Sequence, residues 1–149
     1  MSTSLIWIII PLIISGLLAL ISGKPKFTYI TGTILAFLLG ILATLPSQEL
    51  TISIGSFSFE FSNRISLLGR TLEINSGNLP LTSFVYFIAG LWIMGSGWFK
   101  LTKYYSAIVF AISTLLIAAL AVRPFLYAAL LIEIAVLLSI PLLSNANEK

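Results

Sequence analysis

Glu133 is the residue of this chain that its type and surroundings single out for chemistry. It stands in PFLYAALLIEIAVLLSIPLL, residues 124–143, as the sole charge of that stretch. A helix of that length matches the hydrocarbon core of a bilayer. Pro124 suits the first turn, where a missing N–H costs nothing, and Arg123 stands just outside it, within reach of lipid head groups. At about 1.5 Å per residue, Glu133 falls roughly 13 Å deeper along the axis than Pro124. A carboxyl at that depth costs at least a few kcal/mol unless it is paired, hydrated or protonated. A deep carboxyl held protonated can exchange its proton when water or a cation approaches, which is what a proton relay requires. The chain offers no deep Lys or Arg as its partner. The plainer reading is an acid bonded to a backbone carbonyl, or to Ser113 or Thr114 of the preceding helix. Pro141, eight residues on, frees a carbonyl one turn earlier, and either opens the helix or ends it near the surface.

The elements that position Glu133 follow from composition. The 149 residues are 58% hydrophobic and 9% charged, with a mean hydropathy of +1.09. Soluble domains carry about 25% charged residues, so the expected class is an all-α integral membrane protein. Asp, His and Cys do not occur. A Cys/His zinc site, a Ser–His–Asp triad, a catalytic thiol, disulfides, His-ligated haem and Cys-ligated clusters are thereby excluded. No cofactor and no metal are expected, and no soluble small-molecule substrate is evident. The net charge of +3 is too dispersed for nucleic acid.

Five apolar runs are read as transmembrane helices, over about 5–22, 27–45, 79–99, 104–122 and 125–143. Together they predict one membrane domain with the bilayer and other membrane subunits as its partners. The first run lacks a basic leader and a small-x-small cleavage site, so it reads as a retained anchor. Pro11 within it permits a bend without preventing insertion. The connections at Gly23–Lys26, Lys100–Lys103 and Arg123–Pro124 are so short that the joined helices are expected to be antiparallel neighbours. With five alternating spans, Lys24, Lys26, Lys100, Lys103 and Lys149 share one side, and Arg64, Arg70 and Arg123 the other. The positive-inside rule then places the N-terminus outside and the C-terminus in the cytoplasm of a multi-pass protein of, most naturally, a bacterial plasma membrane.

Pro46–Asn78 is the one substantial extramembrane segment. Through TISIGSFSFEF, Ile52, Ile54, Phe57, Phe59 and Phe61 largely alternate with polar residues, interrupted at Gly55–Ser56 as by a bulge or turn. A second short run, Arg70–Ile74, ends at the loop signal Asn75–Ser76–Gly77–Asn78. This predicts a small β-hairpin over about 50–74 on the outer face, either a docking surface for a neighbour or a cap over helix ends. Gly32, Ala36 and Gly40 recur every four positions, and Ala89–Gly90 and Gly95–Ser96–Gly97 offer the same slimness in the next span. Small faces of this kind let helix backbones approach closely. Ala118, Ala119 and Ala121 are expected beside Ala128 and Ala129. Trp98, Tyr104 and Tyr105 flank the Lys100–Lys103 loop as interfacial anchors, with Trp92 nearby.

From Leu67 onward the order of features resembles the N-terminal part of the antiporter-like, proton-translocating subunits of respiratory complex I and related multisubunit cation/proton antiporters. The resemblance is clearest over Leu79–Leu143, where LLIEIAVLLSIPLL is similar to the glutamate-bearing fifth helix of that family, with Glu133 in the matching place and Pro141 after it. Members continue through further helices that hold relay lysines, whereas this sequence closes with SNANEK, like a fragment, a split-gene half or a stand-alone relative. The resemblance implies a non-redox membrane subunit of an NADH-quinone oxidoreductase-like complex, not catalytic alone, with Glu133 as a midplane proton-relay group. The alternative is a non-catalytic scaffold or assembly subunit in which Glu133 is a helix-pairing contact. Polar residues and a water-sized cavity around Glu133 would favour the first; a dry carboxyl on a smooth outward face would favour the second.

Overall fold

The computed structural model describes residues 6–44, 52–54, 57–59, 65–67, 70–72, 74, 76–99, 103–123 and 125–144. Five helices account for most of them: α1 (Ile6–Leu20), α2 (Pro25–Thr44), α3 (Leu79–Phe99), α4 (Tyr105–Ala121) and α5 (Leu126–Ser144). Among the described residues, Pro25–Thr44 and Leu79–Gly97 are long and apolar enough to cross a membrane. The apolar helices over Trp7–Leu20, Tyr105–Ala121 and Leu126–Leu142 are shorter than the runs read from the sequence. At about 1.5 Å per residue such helices fall a few ångströms short of a hydrocarbon core of roughly 30 Å.

Helix α4 lies at the centre, with α1, α3 and α5 packed on it and α2 touching it beside α3. Its Phe110 and Ile117 meet Tyr86 and Ile93 of α3 in one core, all four fully buried. The small residues of α2 explain its closeness to this core. A Cβ at Gly32 would stand 3.3 Å from the Ser106 Cβ, and one at Gly40 would stand 3.3 Å from the Phe87 ring. Both positions therefore admit a neighbour that a side chain would hold off. Hydroxyls join the helices as well. Ser83 donates to the Gly40 carbonyl at 2.8 Å, Ser15 to that of Ala107 at 2.7 Å and Tyr86 to that of Trp7 at 2.7 Å.

The brief connection between α1 and α2 does not make them packing partners. Helix α1 lies mainly on α4, and α2 mainly on α3. The Ser15 and Trp7 hydrogen bonds tie α1 to α4 and α3, while the small face of α2 is already occupied by α3. The two helices splay from their shared turn at residues 21–24.

Ser83 beside Gly40, Gly90 beside Ala36 and Gly97 beside Tyr29 set α2 and α3 antiparallel. Gly32 beside Ser106 then brings the start of α4 to the start of α2. Lys24, Lys26 and Lys103 consequently share one end of the bundle, and Arg123, beyond the far end of α4, stands at the other. Lys100, Lys149 and Arg64 lie outside the described residues.

The expected single hairpin over 50–74 gives way to two small sheets, the second of them at the Arg123 end. β1 (Ile52–Ile54) pairs antiparallel with β2 (Phe57–Phe59), with Ser53 opposite Ser58. β3 (Ile65–Leu67) pairs with β4 (Arg70–Leu72). β4 also pairs with β5 (Val122–Arg123), Leu72 opposite Val122. Gly55 and Ser56, read as a bulge or turn, lie outside the described residues, as does Asn75 of the loop signal. Tyr105 is a further correction. It is buried, while Tyr104 is exposed, because consecutive helical residues point about 100° apart and only Tyr104 faces outward, its ring 4.8 Å beneath the Lys103 ammonium. Trp92 nearby is exposed; the Trp98 side chain lies outside the described residues.

Candidate functional site

The site is a face of α5, and what α5 packs against defines it. The helix meets the rest of the chain chiefly through α4 and β5. Ala128 is buried against Ala119 and Val122, with Tyr127 and Leu131 packed beside them. Ala135 is buried one to two turns further on. Residues 128, 131 and 135 share one side of a helix by their three- and four-residue spacing. Small side chains there let α5 lie close to α4. Of the alanine pair expected at this contact, only Ala128 is buried; Ala129 is exposed.

Glu133 belongs to the other side. At about 100° per residue it lies roughly 140–160° around the axis from Ala128, Leu131 and Ala135, and it is exposed. Leu126, Leu130, Leu137 and Ile140, all at least half exposed, share its stripe. Their positions with Glu133 read 126, 130, 133, 137 and 140, alternating steps of four and three. That is the spacing of a helix–helix seam, with the carboxyl at its centre. Because α5 is apolar all round, the seam is hard to pick out in the sequence; the signal that could have found it is this alternation.

Among the described residues no polar group answers the carboxyl. Glu133 forms no hydrogen bond or ion pair among the described residues. Ser113 and Thr114, its expected partners, are buried and donate within α4, to the carbonyls of Val109 and Phe110, each at 2.8 Å. Both hydroxyls are thus turned into the core, while Glu133 points away from α4. On α5 itself Ser139 donates to the Val136 carbonyl at 2.6 Å. Pro141 does not end the helix, which continues to Ser144. Having no N–H, it leaves the Leu137 carbonyl without its usual helical donor.

Among the described residues no group of three metal-ligating side chains occurs. Two surface grooves open elsewhere, at the lysine end, where Lys24 and Lys26 stand beside apolar walls. Sequence reading had used those lysines for orientation alone. No family model, curated protein or solved structure matches this chain.

Proposed function

We propose that this chain is a multi-pass membrane subunit that joins a larger membrane complex through the outer stripe of α5, with Glu133 pairing a Lys or Arg of the partner helix. The observation that carries this is the unpartnered carboxyl at the centre of an apolar seam. In a bilayer such a group needs a partner, and this chain supplies none among its described residues. A carboxylate in hydrocarbon is best matched by a cation, which offsets its charge as well as its hydrogen bonds. The exposed apolar side chains support the membrane setting, because large residues such as Phe27, Ile30, Ile34, Leu38 and Ile41 cover the outside of α2, and no monomeric soluble domain exposes apolar surface on that scale. The lysine end faces the cytoplasm and the Arg123 end the outside.

Photo-crosslinking in native membranes tests the pairing. A photoreactive residue at Leu137 should crosslink to a helix of another chain carrying Lys or Arg at the same depth, and the same probe at Ala135 should not. Glu133→Gln should abolish that adduct and lower recovery of the complex, while Glu133→Asp should retain part of both. Adducts to lipid alone, or to a second copy of this chain, which has no deep cation, would overturn the pairing.

A second reading is favoured by the place of Glu133 midway along an apolar helix. In it the partner belongs to a proton-translocating complex, as the resemblance to complex I antiporter-like subunits implies, and the Glu133–cation pair is a station of the proton path. Glu133→Gln would then leave assembly nearly intact and stop proton translocation in vesicles holding the whole complex. The isolated chain should conduct no protons in liposomes under either reading.

A further inference from the structure

We propose that the groove between the first turns of α2 and the last turn of α3 holds an anionic phospholipid, its phosphate on Lys26 and an acyl chain along Ile30, Ile34 and Met94. The assignment rests on the membrane reading above and adds a ligand to it. The groove has a volume of about 390 Å³, with Lys26 and Tyr29 at its mouth and Thr33 on its flank. That size falls in the usual range for ligand sites, about 300–1,000 Å³. Charge complementarity names the occupant. Lys26 is exposed and has no acidic partner among the described residues, while the walls below it are apolar. A small free anion would have no use for those walls, and in a zwitterionic lipid the head group's own cation already offsets the phosphate. An anionic lipid satisfies both, and basic residues between helices at the cytoplasmic face take such head groups.

A second groove at the start of α2 repeats the arrangement. Where α1 and α2 splay apart, a groove of about 350 Å³ is lined by Leu20, Ile21, Gly23, Phe27 and Lys24. Again one lysine stands at the mouth of an apolar cleft, at the same end of the bundle. The α2–α3 groove is the larger of the two and is left open by Gly97. A Cβ built at Gly97 lies 3.7 Å from the Tyr29 ring, an ordinary contact. A longer side chain there would occupy the space of the acyl chain.

The test uses the full chain in nanodiscs of equal phosphatidylglycerol and phosphatidylcholine, extracted gently, with retained lipid read by native mass spectrometry. Wild type should retain phosphatidylglycerol over phosphatidylcholine by about fivefold, the effect of one lysine at a lipid surface. Lys26→Gln, an exposed position that leaves the fold alone, should bring the ratio to that of the bulk lipid. Gly97→Leu should reduce retention of both lipids, with the helical content unchanged by circular dichroism. A wild-type ratio equal to the bulk, or a preference that survives Lys26→Gln, would overturn the assignment. So would a preference erased by Lys24→Gln instead, which moves the site to the other groove, or one competed away by inorganic phosphate. Failure of the chain to enter nanodiscs would overturn the membrane reading with it; entry without preference would overturn the lipid site alone.

Discussion

The two flanks of α4 contrast in what they leave unfinished. Toward α2 and α3, contacts are closed from within: Gly32 fits against Ser106, Tyr86 and Phe110 are fully buried, and hydroxyls bind carbonyls across helices. Toward α5 the closure is one helix deep. Ala128 and Ala135 seal α5 onto α4, and beyond them lies a stripe of exposed Leu and Ile centred on a carboxyl without a partner among the described residues. The first flank stabilises the fold, while the second ends in an outward apolar stripe, the surface that the proposed assembly would cover. A substitution on the closed flank should therefore change stability, and one on the open stripe should change assembly with stability untouched.

Phe110→Ala should break the contrast's closed half most severely. Removing the ring leaves a cavity on the order of 100 Å³, which at about 24 cal/mol per Å³ costs about 2–3 kcal/mol. Unfolding of the bicelle-reconstituted protein by SDS titration reads this directly, and an effect below about 1 kcal/mol would mean the core relaxes around the loss. The sharpest single comparison is between neighbours. Ala128→Leu forces extra volume into the seal with α4 and should destabilise by about 1–3 kcal/mol. Ala129→Leu, one residue on but exposed, should stay within about 0.5 kcal/mol. Equal effects would mean that α5 is rotated from the orientation described here.

Tyr86→Phe removes the 2.7 Å hydrogen bond to the Trp7 carbonyl while keeping the ring, and should cost about 1 kcal/mol in the same titration. It should also raise the amide exchange of α1 more than that of α5. The smallest expected change in stability comes from Glu133→Gln, within about 0.5 kcal/mol, since the carboxyl has no partner among the described residues. Under the proposed pairing its effect would be read in recovery of the complex. A large loss of stability in the isolated chain would show that Glu133 is held from within.

The amino-acid sequence by itself settled much of this molecule. Apolar runs bounded by Lys and Arg dictate five helices, because a segment with so few charges hides its backbone polar groups best as helix. The spacing of Gly32, Ala36 and Gly40 marked the slim face of α2 that α3 and α4 occupy. Alternation of the five runs puts Lys24, Lys26 and Lys103 at one end and Arg123 at the other, where the described helices have them. Glu133 was legible as a deep and costly group. Its direction was not, because α5 is apolar on every side and hydrophobic patterning cannot tell a face against α4 from one turned outward. Only packing decided that: the small side chains at 128 and 135 allow the closest approach to α4, and the turn of the helix then carries residue 133 to the far side. Packing likewise sent α1 to α4 in preference to its chain neighbour α2, since hydrogen bonds far apart in sequence, Ser15 to Ala107 and Tyr86 to Trp7, outweigh the nearness that a short turn confers.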